Sequence, residues 1–307
     1  MMTANQIHSK FILGPLQPIP GLEGERLIVS GSHIGVVSSS EGRWMRGTEI
    51  KKLNLPQVNT KFARWTSDGR EIGVGTGKIT VDEAMWKSFP KLTQLDEYAP
   101  PGVKHTTISS VCWNDHVSYA IVVVNTIDEA GTTSTSKEIR LFDANQNTFR
   151  FTRLFDQLGE AIIVGDHVVE LTETITVLNF SGEEIAKLPV SRTRPYRVSW
   201  DLESMHMAIL DHDWHIRLVN LEQWKVIAEW KGMFKDVSIH RDHLIALDLE
   251  NQLHAACIQS HTLEAKGIVA TGLLVNQIAI GEDDHLYLMG SGPVAVHKTR
   301  YSISCTE

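Results

Sequence analysis

A short apolar run, a polar turn and a second apolar run recur seven times along the chain, and this repeat restricts the fold more than any other feature. The first runs of the seven units lie near residues 27, 62, 108, 161, 197, 237 and 277. Dividing the 307 residues by seven gives a period of about 44, within the roughly 40–45 residues of a four-stranded propeller blade. We therefore predict an all-β fold, a seven-bladed β-propeller of four-stranded antiparallel blades.

The residues inside and between the runs favour strands over helices. β-Branched residues are concentrated in the runs, while glycine, aspartate, asparagine and serine fill the gaps, as strands and turns require. Six blades are the alternative, since the first unit (27–53) is irregular. For the last blade we expect 294–305 to supply the outer strands, with help from 9–13.

Two stretches interrupt the repeat without dividing the chain. The segment 88–104 contains three prolines and is predicted to be a long irregular connection. The segment 126–137 is polar and rich in glycine, threonine and serine, which is typical of a mobile insert at a hairpin tip. Because the unit spacing continues on both sides of each, we expect a single propeller domain over residues 1–307.

Short motifs inside the units point to a known repeat. Trp65-Thr-Ser-Asp-Gly69 ends a first strand, and Ile139-Arg-Leu-Phe-Asp143 and Ile216-Arg-Leu-Val-Asn220 supply third strands. Together these motifs resemble a degenerate WD repeat, whose blades carry a Trp–Ser–Pro–Asp–Gly turn and an Ile–Arg–Leu–Trp–Asp strand. The chain departs from that pattern where Phe142-Asp143 and Val219-Asn220 replace the Trp–Asp pair. The resemblance implies a WD-like propeller, a fold that usually serves as a platform for protein interactions.

Charge and composition argue against several classes of partner. The chain carries 29 Lys and Arg against 37 Asp and Glu, a formal charge of −8, which disfavours nucleic acid and anionic membranes. No apolar run approaches the length of a membrane span, and the N-terminus does not resemble a signal peptide. We therefore expect a cytoplasmic protein. Three scattered cysteines predict neither a disulfide framework nor a cysteine-based zinc site.

Motifs that suggest chemistry have simpler structural interpretations. Gly73-Val-Gly-Thr-Gly-Lys78 lacks the first glycine and the final serine or threonine of a phosphate-binding loop, so we predict a tight turn. Asp211-His-Asp-Trp-His215 and His240-Arg-Asp-His243 concentrate metal-binding residue types, but they fall on turns at opposite ends of the blades. We expect solvated turns, no metal, no cofactor and no catalytic residues.

One predicted loop face combines aromatic and basic residues on an otherwise acidic protein. Trp214 lies in a turn between second and third strands, and the connections 191–196 and 231–235 belong to the same end of the blades. Because exposed aromatic residues and arginine are favoured interface anchors, we predict a non-enzymatic protein–protein interaction module, itself a monomer. The predicted protein-binding residues are Arg192, Arg194, Tyr196, Trp214, Phe234 and Lys235.

Two other functions remain open at this point. The first is a propeller hydrolase or lyase that acts on a sugar or lactone, with a metal or carboxylates at the channel mouth, since propellers host many chemistries. The second is a carbohydrate-binding propeller, suggested by the 8 tryptophans against 5 tyrosines, because aromatic rings stack on sugars.

Overall fold

The computed structural model describes residues 11–30, 33–38, 40–46, 49–55, 63–66, 68–93, 103–128, 133–156, 159–188, 195–259, 262–290 and 296–305. Within these residues the strands form seven antiparallel sheets, one for each predicted unit. The chain is therefore a seven-bladed β-propeller, as predicted, and the six-bladed alternative is wrong. In the same part of the chain, no helix is long and apolar enough to span a bilayer.

The chain divides into two compact units. The four-blade unit consists of residues 22–195 and contains blades 1 to 4, while the three-blade unit consists of 1–21 and 196–307 and contains blades 5 to 7. Two short strands, β1 (Phe11–Leu13) and β2 (Gln17–Pro18), precede blade 1 in the chain and belong to blade 7. The expected organisation as one domain stays a prediction.

Each blade of the four-blade unit is a four-stranded meander in chain order. Blade 1 comprises β3 (Arg26–Ser30), β4 (His33–Val37), β5 (Glu41–Arg46) and β6 (Glu49–Asn54); blade 2 comprises β7 (Arg64–Trp65), β8 (Glu71–Val74), β9 (Gly77–Thr80) and β10 (Met85–Ser88), followed by helix α1 (Pro90–Thr93); blade 3 comprises β11 (Val103–Trp113), β12 (Tyr119–Asp128), β13 (Thr133–Asp143) and β14 (Thr148–Asp156); blade 4 comprises β15 (Glu160–Val164), β16 (His167–Leu171), β17 (Ile175–Asn179) and β18 (Glu184–Leu188).

The three-blade unit repeats the meander and then ends it differently. Blade 5 comprises β19 (Pro195–Asp201), β20 (His206–Asp211), β21 (Ile216–Asn220) and β22 (Lys225–Trp230); blade 6 comprises β23 (Phe234–His240), β24 (His243–Asp248), β25 (Gln252–Gln259) and β26 (Thr262–Ala270); blade 7 comprises β27 (Val275–Ile280), β28 (His285–Gly290) and β29 (His297–Ile303), to which β1 and β2 both pair.

The outer edge of blade 7 confirms that residues from both ends of the sequence combine. Strand β1 pairs antiparallel with β29, so that Phe11 lies opposite Ile303 and Leu13 lies opposite Tyr301. Phe11 is buried in the apolar core that blade 7 shares with blade 6. Of the stretches expected here, residues 9–10 and 294–295 lie outside the described residues.

Tryptophans at the ends of first strands fill the core of the four-blade unit. Trp65 and Trp113 are both buried. The indole nitrogen of Trp113 donates to the backbone oxygen of Gly75, at 3.0 Å. A Cβ atom on Gly73 would lie 2.5 Å from the Trp113 ring, so the side chain that faces this ring has to be a hydrogen. The glycine-rich motif thus contains a hairpin turn between β8 and β9, as predicted. In addition, Gly73 leaves room for the Trp113 ring.

Hydrogen bonds between neighbouring first strands recur in the three-blade unit. The Ser199 hydroxyl accepts the backbone N–H of Ile239 at 3.1 Å, and the Ser238 hydroxyl accepts that of Ile280 at 3.0 Å. Each bond supplies an acceptor to a backbone N–H group that folding removes from water. Blades 5, 6 and 7 are therefore joined by serine hydrogen bonds of the same kind as well as by apolar packing.

The two irregular stretches contain more regular structure than their composition suggests. Helix α1 lies within the predicted connection 88–104, of which residues 94–102 are outside the described part. The polar insert 126–137 extends the hairpin of β12 and β13, with Asn125 opposite Lys137. Its mobility stays a prediction, and residues 129–132 at its tip lie outside the described residues.

A disulfide corrects the expectation drawn from the scattered cysteines. Cys257 in β25 is bonded to Cys305, which follows β29, across a Cα–Cα distance of 5.6 Å. The two are 48 residues apart in the sequence, and only the packing of blade 7 on blade 6 brings them together. The third cysteine, Cys112, is a buried free thiol.

Candidate functional site

One end of the three-blade unit gathers turns and interblade connections into a continuous surface, here called the loop face. It consists of Tyr196, the turns 211–215 and 248–251, and the connections 231–235 and 271–274. Backbone hydrogen bonds hold it together: the N–H of Leu249 donates to the oxygen of Met233 at 3.1 Å, and the N–H of Phe234 donates to that of Trp214 at 3.3 Å.

The blade 5 turn is organised by a buried carboxylate. Asp211 accepts the backbone N–H groups of Asp213, at 3.0 Å, and His215, at 3.2 Å. It also forms an ion pair with Arg217 in β21. A carboxylate that accepts two backbone donors fixes the shape of the turn, because each donor is satisfied without a strand partner.

The blade 6 turn repeats this arrangement at the same relative positions. Asp248 accepts the N–H groups of Glu250, at 2.9 Å, and Gln252, at 2.8 Å. His254, six residues beyond the aspartate as Arg217 is in blade 5, lies 2.7 Å from the carboxylate through its Nε2. The loop face therefore rests on two rigid turns of the same construction.

The fourth residue of each turn differs in chemistry although its backbone conformation is the same. Asn251 has φ of 64° and Trp214 has φ of 67°, both in the left-handed region. Asparagine adopts this region readily, whereas a bulky side chain does so at a cost of about 1–2 kcal/mol. The turn of blade 5 thus carries a tryptophan where the backbone favours a small polar residue.

Asn251 is the hub of the surrounding connections. Its backbone oxygen accepts from the N–H of Thr271 at 3.3 Å and from the Thr271 hydroxyl at 3.0 Å. Its side-chain oxygen accepts the N–H of Val275 at 3.0 Å and the Lys235 ammonium at 2.8 Å. Both connections that flank the blade 6 turn are therefore fixed to this one residue.

Three large apolar side chains project from this framework into solvent. Met233 is 62% exposed, Leu249 is 42% exposed and Leu274 is 79% exposed. Leu249 sits on the blade 6 turn, and the connections that carry Met233 and Leu274 bond to the same turn on either side. These three residues form the apolar patch of the loop face. Large exposed apolar side chains gathered on neighbouring segments mark an interaction site more often than isolated apolar residues do.

An aromatic cluster lies on the blade 5 part of the loop face. The ring of Tyr196 lies 6.0 Å from that of Trp214 and 5.3 Å from that of His212, measured between centroids. The guanidinium of Arg197 lies 4.6 Å from the centre of the Tyr196 ring. Tyr196 and Trp214 are half-buried, so each ring is fixed on one side and open to solvent on another.

The predicted binding residues are only partly brought together. Tyr196 and Trp214 are in ring contact, and Lys235 is half-buried against Asn251. Phe234 is 2% exposed and packs against Trp230 and His254, so its side chain lies in the core rather than on the surface. Arg192 and Arg194 lie outside the described residues.

Sequence reasoning missed all three residues of the apolar patch. In the Met233–Phe234 pair it selected the phenylalanine, although strand β23 begins there and its first side chain points inward. The available signal was Leu249 in an otherwise polar turn, and the Leu273–Leu274 pair directly before a strand. An apolar residue at a turn position, where polar residues are usual, indicates exposure.

Lys235 is a basic group held inside the loop face. Burial lowers the pKa of Lys235 from its ordinary value, and the negative charges of Asp248 and Asp236 partly oppose this effect. The bond to Asn251 shows that this lysine positions the connection, in addition to any contact it makes outward.

The opposite end of blades 5 to 7, here called the turn face, carries several charged residues. It consists of the turns 202–205, 241–242 and 281–284 between the first and second strands. Arg241 lies 3.6 Å from Glu203 and 4.0 Å from Asp284, so that it bridges the turns on both sides. Beside it, burial lowers the pKa of His243, whose Nδ1 lies 3.3 Å from the Tyr301 hydroxyl.

The side chains of the two histidine and aspartate motifs bind neighbouring side chains and the backbone, as Asp211 binds Arg217 and the N–H of Asp213. Among the described residues, no group of three or more His, Cys, Asp or Glu side chains is placed to hold a metal ion. The two motifs lie at opposite ends of the blades, as predicted from the alternation of turns in an antiparallel meander.

Comparison with known proteins places the fold and little else. The chain matches no protein-family model, and no curated protein sequence matches it. Solved WD40 propellers are similar in structure. They include the WD40 repeats of RRP9 (TM-score 0.66, 10% identity, 95% of this chain and 99% of that chain), U3-55K (0.63, 11%, 93% and 98%) and a chain of the mitotic checkpoint complex (0.62, 12%, 99% and 94%). The chain therefore has the fold of WD40-repeat propellers, as its motifs indicated.

Proposed function

We propose that this protein is a non-enzymatic protein–protein interaction module that binds its partner through the loop face of the three-blade unit. The observation that carries the proposal is the apolar patch of Met233, Leu249 and Leu274, which surrounds one rigid turn. Burying a leucine or methionine side chain contributes about 1.5–3 kcal/mol. Three such side chains on a fixed framework can anchor a partner, because a framework that is already ordered loses little conformational entropy on binding.

Trp214 is a second anchor in this proposal. Its left-handed backbone conformation costs stability, and the equivalent turn of blade 6 avoids that cost with Asn251. A residue that is unfavourable for the fold and half-exposed is consistent with a role in binding. Tyr196, in contact with the Trp214 ring, and Lys235 complete the proposed surface, while Phe234 supports it from the core.

The fold adds general support. Propellers of the WD40 type usually serve as interaction platforms, and one of the similar chains belongs to the mitotic checkpoint complex. The hydrolase or lyase alternative and the carbohydrate-binding alternative are not favoured by these comparisons. The expectations of a cytoplasmic monomer that binds neither nucleic acid nor membrane stay predictions.

Quantitative affinity purification from native lysate tests the proposal. The tagged wild type is compared with a Met233→Glu/Leu274→Glu double variant and with Ile268→Glu, a control at a 56% exposed apolar residue on the outer strand β26. We expect a stoichiometric partner to be retained by the wild type and the control and to be lost from the double variant. Equal recovery with all three proteins would remove the apolar patch as the binding surface.

A further inference from the structure

Three contacts near the end of β29 attach blade 7 to blade 6, in addition to the Ser238–Ile280 hydrogen bond and the shared apolar core. Cys305 is bonded to Cys257, and the Gln259 side-chain nitrogen donates to the backbone oxygen of Cys305. The Tyr301 hydroxyl lies 3.3 Å from Nδ1 of His243. The disulfide is the covalent member of this set, and the other two contacts lie close to it in the sequence.

The same region holds β1 in place. Strand β1 is three residues long, and all three of its pairs are with β29, at Ile303, Ser302 and Tyr301. These partners lie two to four residues before Cys305. Any loosening of the end of β29 therefore reaches β1 directly, because so short a strand has little hydrogen bonding of its own.

The two bonded cysteines differ in exposure. Cys257 is fully buried, whereas Cys305 is half-buried and lies near the rim of the core. A thiolate from solvent is therefore directed to the Cys305 sulfur, since exchange requires access along the sulfur–sulfur bond. Cys112 does not compete, because it is completely buried and burial raises the pKa of its thiol.

We propose that the Cys257–Cys305 disulfide is a thiol-exchange switch that fastens β29 and β1 to blade 6, and that a dithiol reductant releases both strands. A thiolate of the reductant forms a bond to the Cys305 sulfur, and the Cys257–Cys305 bond breaks with Cys257 leaving as a thiolate that takes up a proton. The second thiol of the reductant then attacks the reductant sulfur of the mixed disulfide, and Cys305 leaves as a thiolate that takes up a proton. The protein gains two electrons and two protons, and the reductant becomes a cyclic disulfide.

Hydrogen exchange with mass spectrometry tests this switch on the intact protein. Oxidised wild type, dithiothreitol-treated wild type and Cys305→Ser are compared. We expect amide exchange at 11–13 and 297–303 to become at least about tenfold faster after reduction and in the variant, because local opening is no longer opposed by the cross-link. Exchange in β20 serves as the internal reference and is expected to stay unchanged.

Two results would overturn the switch. The first is equal exchange of β1 and β29 before and after reduction. The second is alkylation of Cys257 and Cys305 in protein that has seen no reductant, which would show that the bond does not form. Reoxidation is expected to restore slow exchange in the wild type, and a Cys112→Ala control is expected to behave as the wild type.

Discussion

The loop face and the turn face of blades 5 to 7 are built from the same strands but differ in the side chains that they expose to solvent. On the turn face, charged residues pair across neighbouring turns, as Arg241 does with Glu203 and Asp284. On the loop face, the polar groups of Asp248 and Asn251 are used within the framework. The large apolar side chains of the apolar patch are exposed there beside charged residues.

This difference teaches where a binding surface is to be sought in such a fold. Histidine and aspartate are abundant on both faces, but many of them bind neighbouring side chains and the backbone, as Asp248 binds His254 and the N–H of Glu250. Exposed ion pairs contribute little free energy, whereas apolar surface that remains in water on a rigid framework favours association. The loop face is therefore the candidate interface, and the turn face is a solvated end of the sheets.

The largest expected effect separates the two faces with one matched pair of variants. Leu249 on the loop face is 42% exposed and Leu202 on the turn face is 40% exposed. We expect Leu249→Glu to weaken partner binding by about tenfold to a hundredfold, because a charge replaces an apolar side chain that the bound partner would bury. Leu202→Glu is expected to leave the affinity unchanged. Titration of each purified variant against the captured partner measures both, and equal losses would contradict the distinction.

The next largest effect is expected at the turn that carries Leu249. Asp248→Ala removes the acceptor of two backbone N–H groups and the partner of His254. We expect a loss of about 1–2 kcal/mol in the free energy of unfolding, because the two N–H groups exchange a charged acceptor in the fold for water. Denaturant unfolding checks the value. Asp248→Asn, which keeps an acceptor oxygen, should lose distinctly less.

Trp214 sharpens the comparison because its expected effects on stability and on binding differ. Trp214→Asn places at this turn the residue type that blade 6 has at Asn251, in a backbone conformation that suits it. We expect stability to stay equal or to rise by about 0.5–1 kcal/mol, while affinity for the partner falls. Thermal unfolding and titration are the measurements. A large loss of stability would show that the tryptophan serves the fold instead.

A smaller effect concerns acid sensitivity on the turn face. The pKa of His243 is lowered by burial from its ordinary 6.5, an effect that Asp242 and Asp284 partly oppose. The unfolded chain therefore binds a proton at His243 more readily than the folded protein, so stability falls as the pH drops through this range. Between pH 7.5 and pH 5.5, the melting temperature is expected to fall less in His243→Gln than in the wild type. An identical fall would exclude His243 as a source of acid sensitivity.

The smallest effect is expected at Arg241. Its ion pairs with Glu203 and Asp284 are exposed and longer than hydrogen-bonding distance. Arg241→Ala is expected to change the free energy of unfolding by no more than about 0.5–1 kcal/mol and to leave partner binding unchanged. Denaturant unfolding and titration test both statements, and a loss of binding would move the interface to the turn face.

The fold was predictable because its signals are local. Short continuous apolar runs, such as those of β16 and β20, and the turns between them identify each blade without knowledge of any other. The disulfide was not predictable in this way. Cys257 and Cys305 belong to different blades, and their proximity depends on how blade 7 packs against blade 6.

The candidate site was predictable only in part, for a related reason. Trp214 and Tyr196 were found because aromatic residues in polar connections are conspicuous in the sequence. Met233 and Leu274 were missed because exposure depends on where the following strand begins, which sequence patterns locate to within a few residues. A shift of one position reverses the direction of a side chain, and this is the difference between Met233 and Phe234.

Hydrogen exchange of the protein alone and in complex with its captured partner tests the central claim most directly. The account predicts that binding slows exchange in the segments 231–235, 248–251 and 271–275, which form and support the apolar patch. It predicts no change in 202–205, 241–242 and 281–284 on the turn face. Protection confined to the turn face, with the loop face unaffected, would contradict the account.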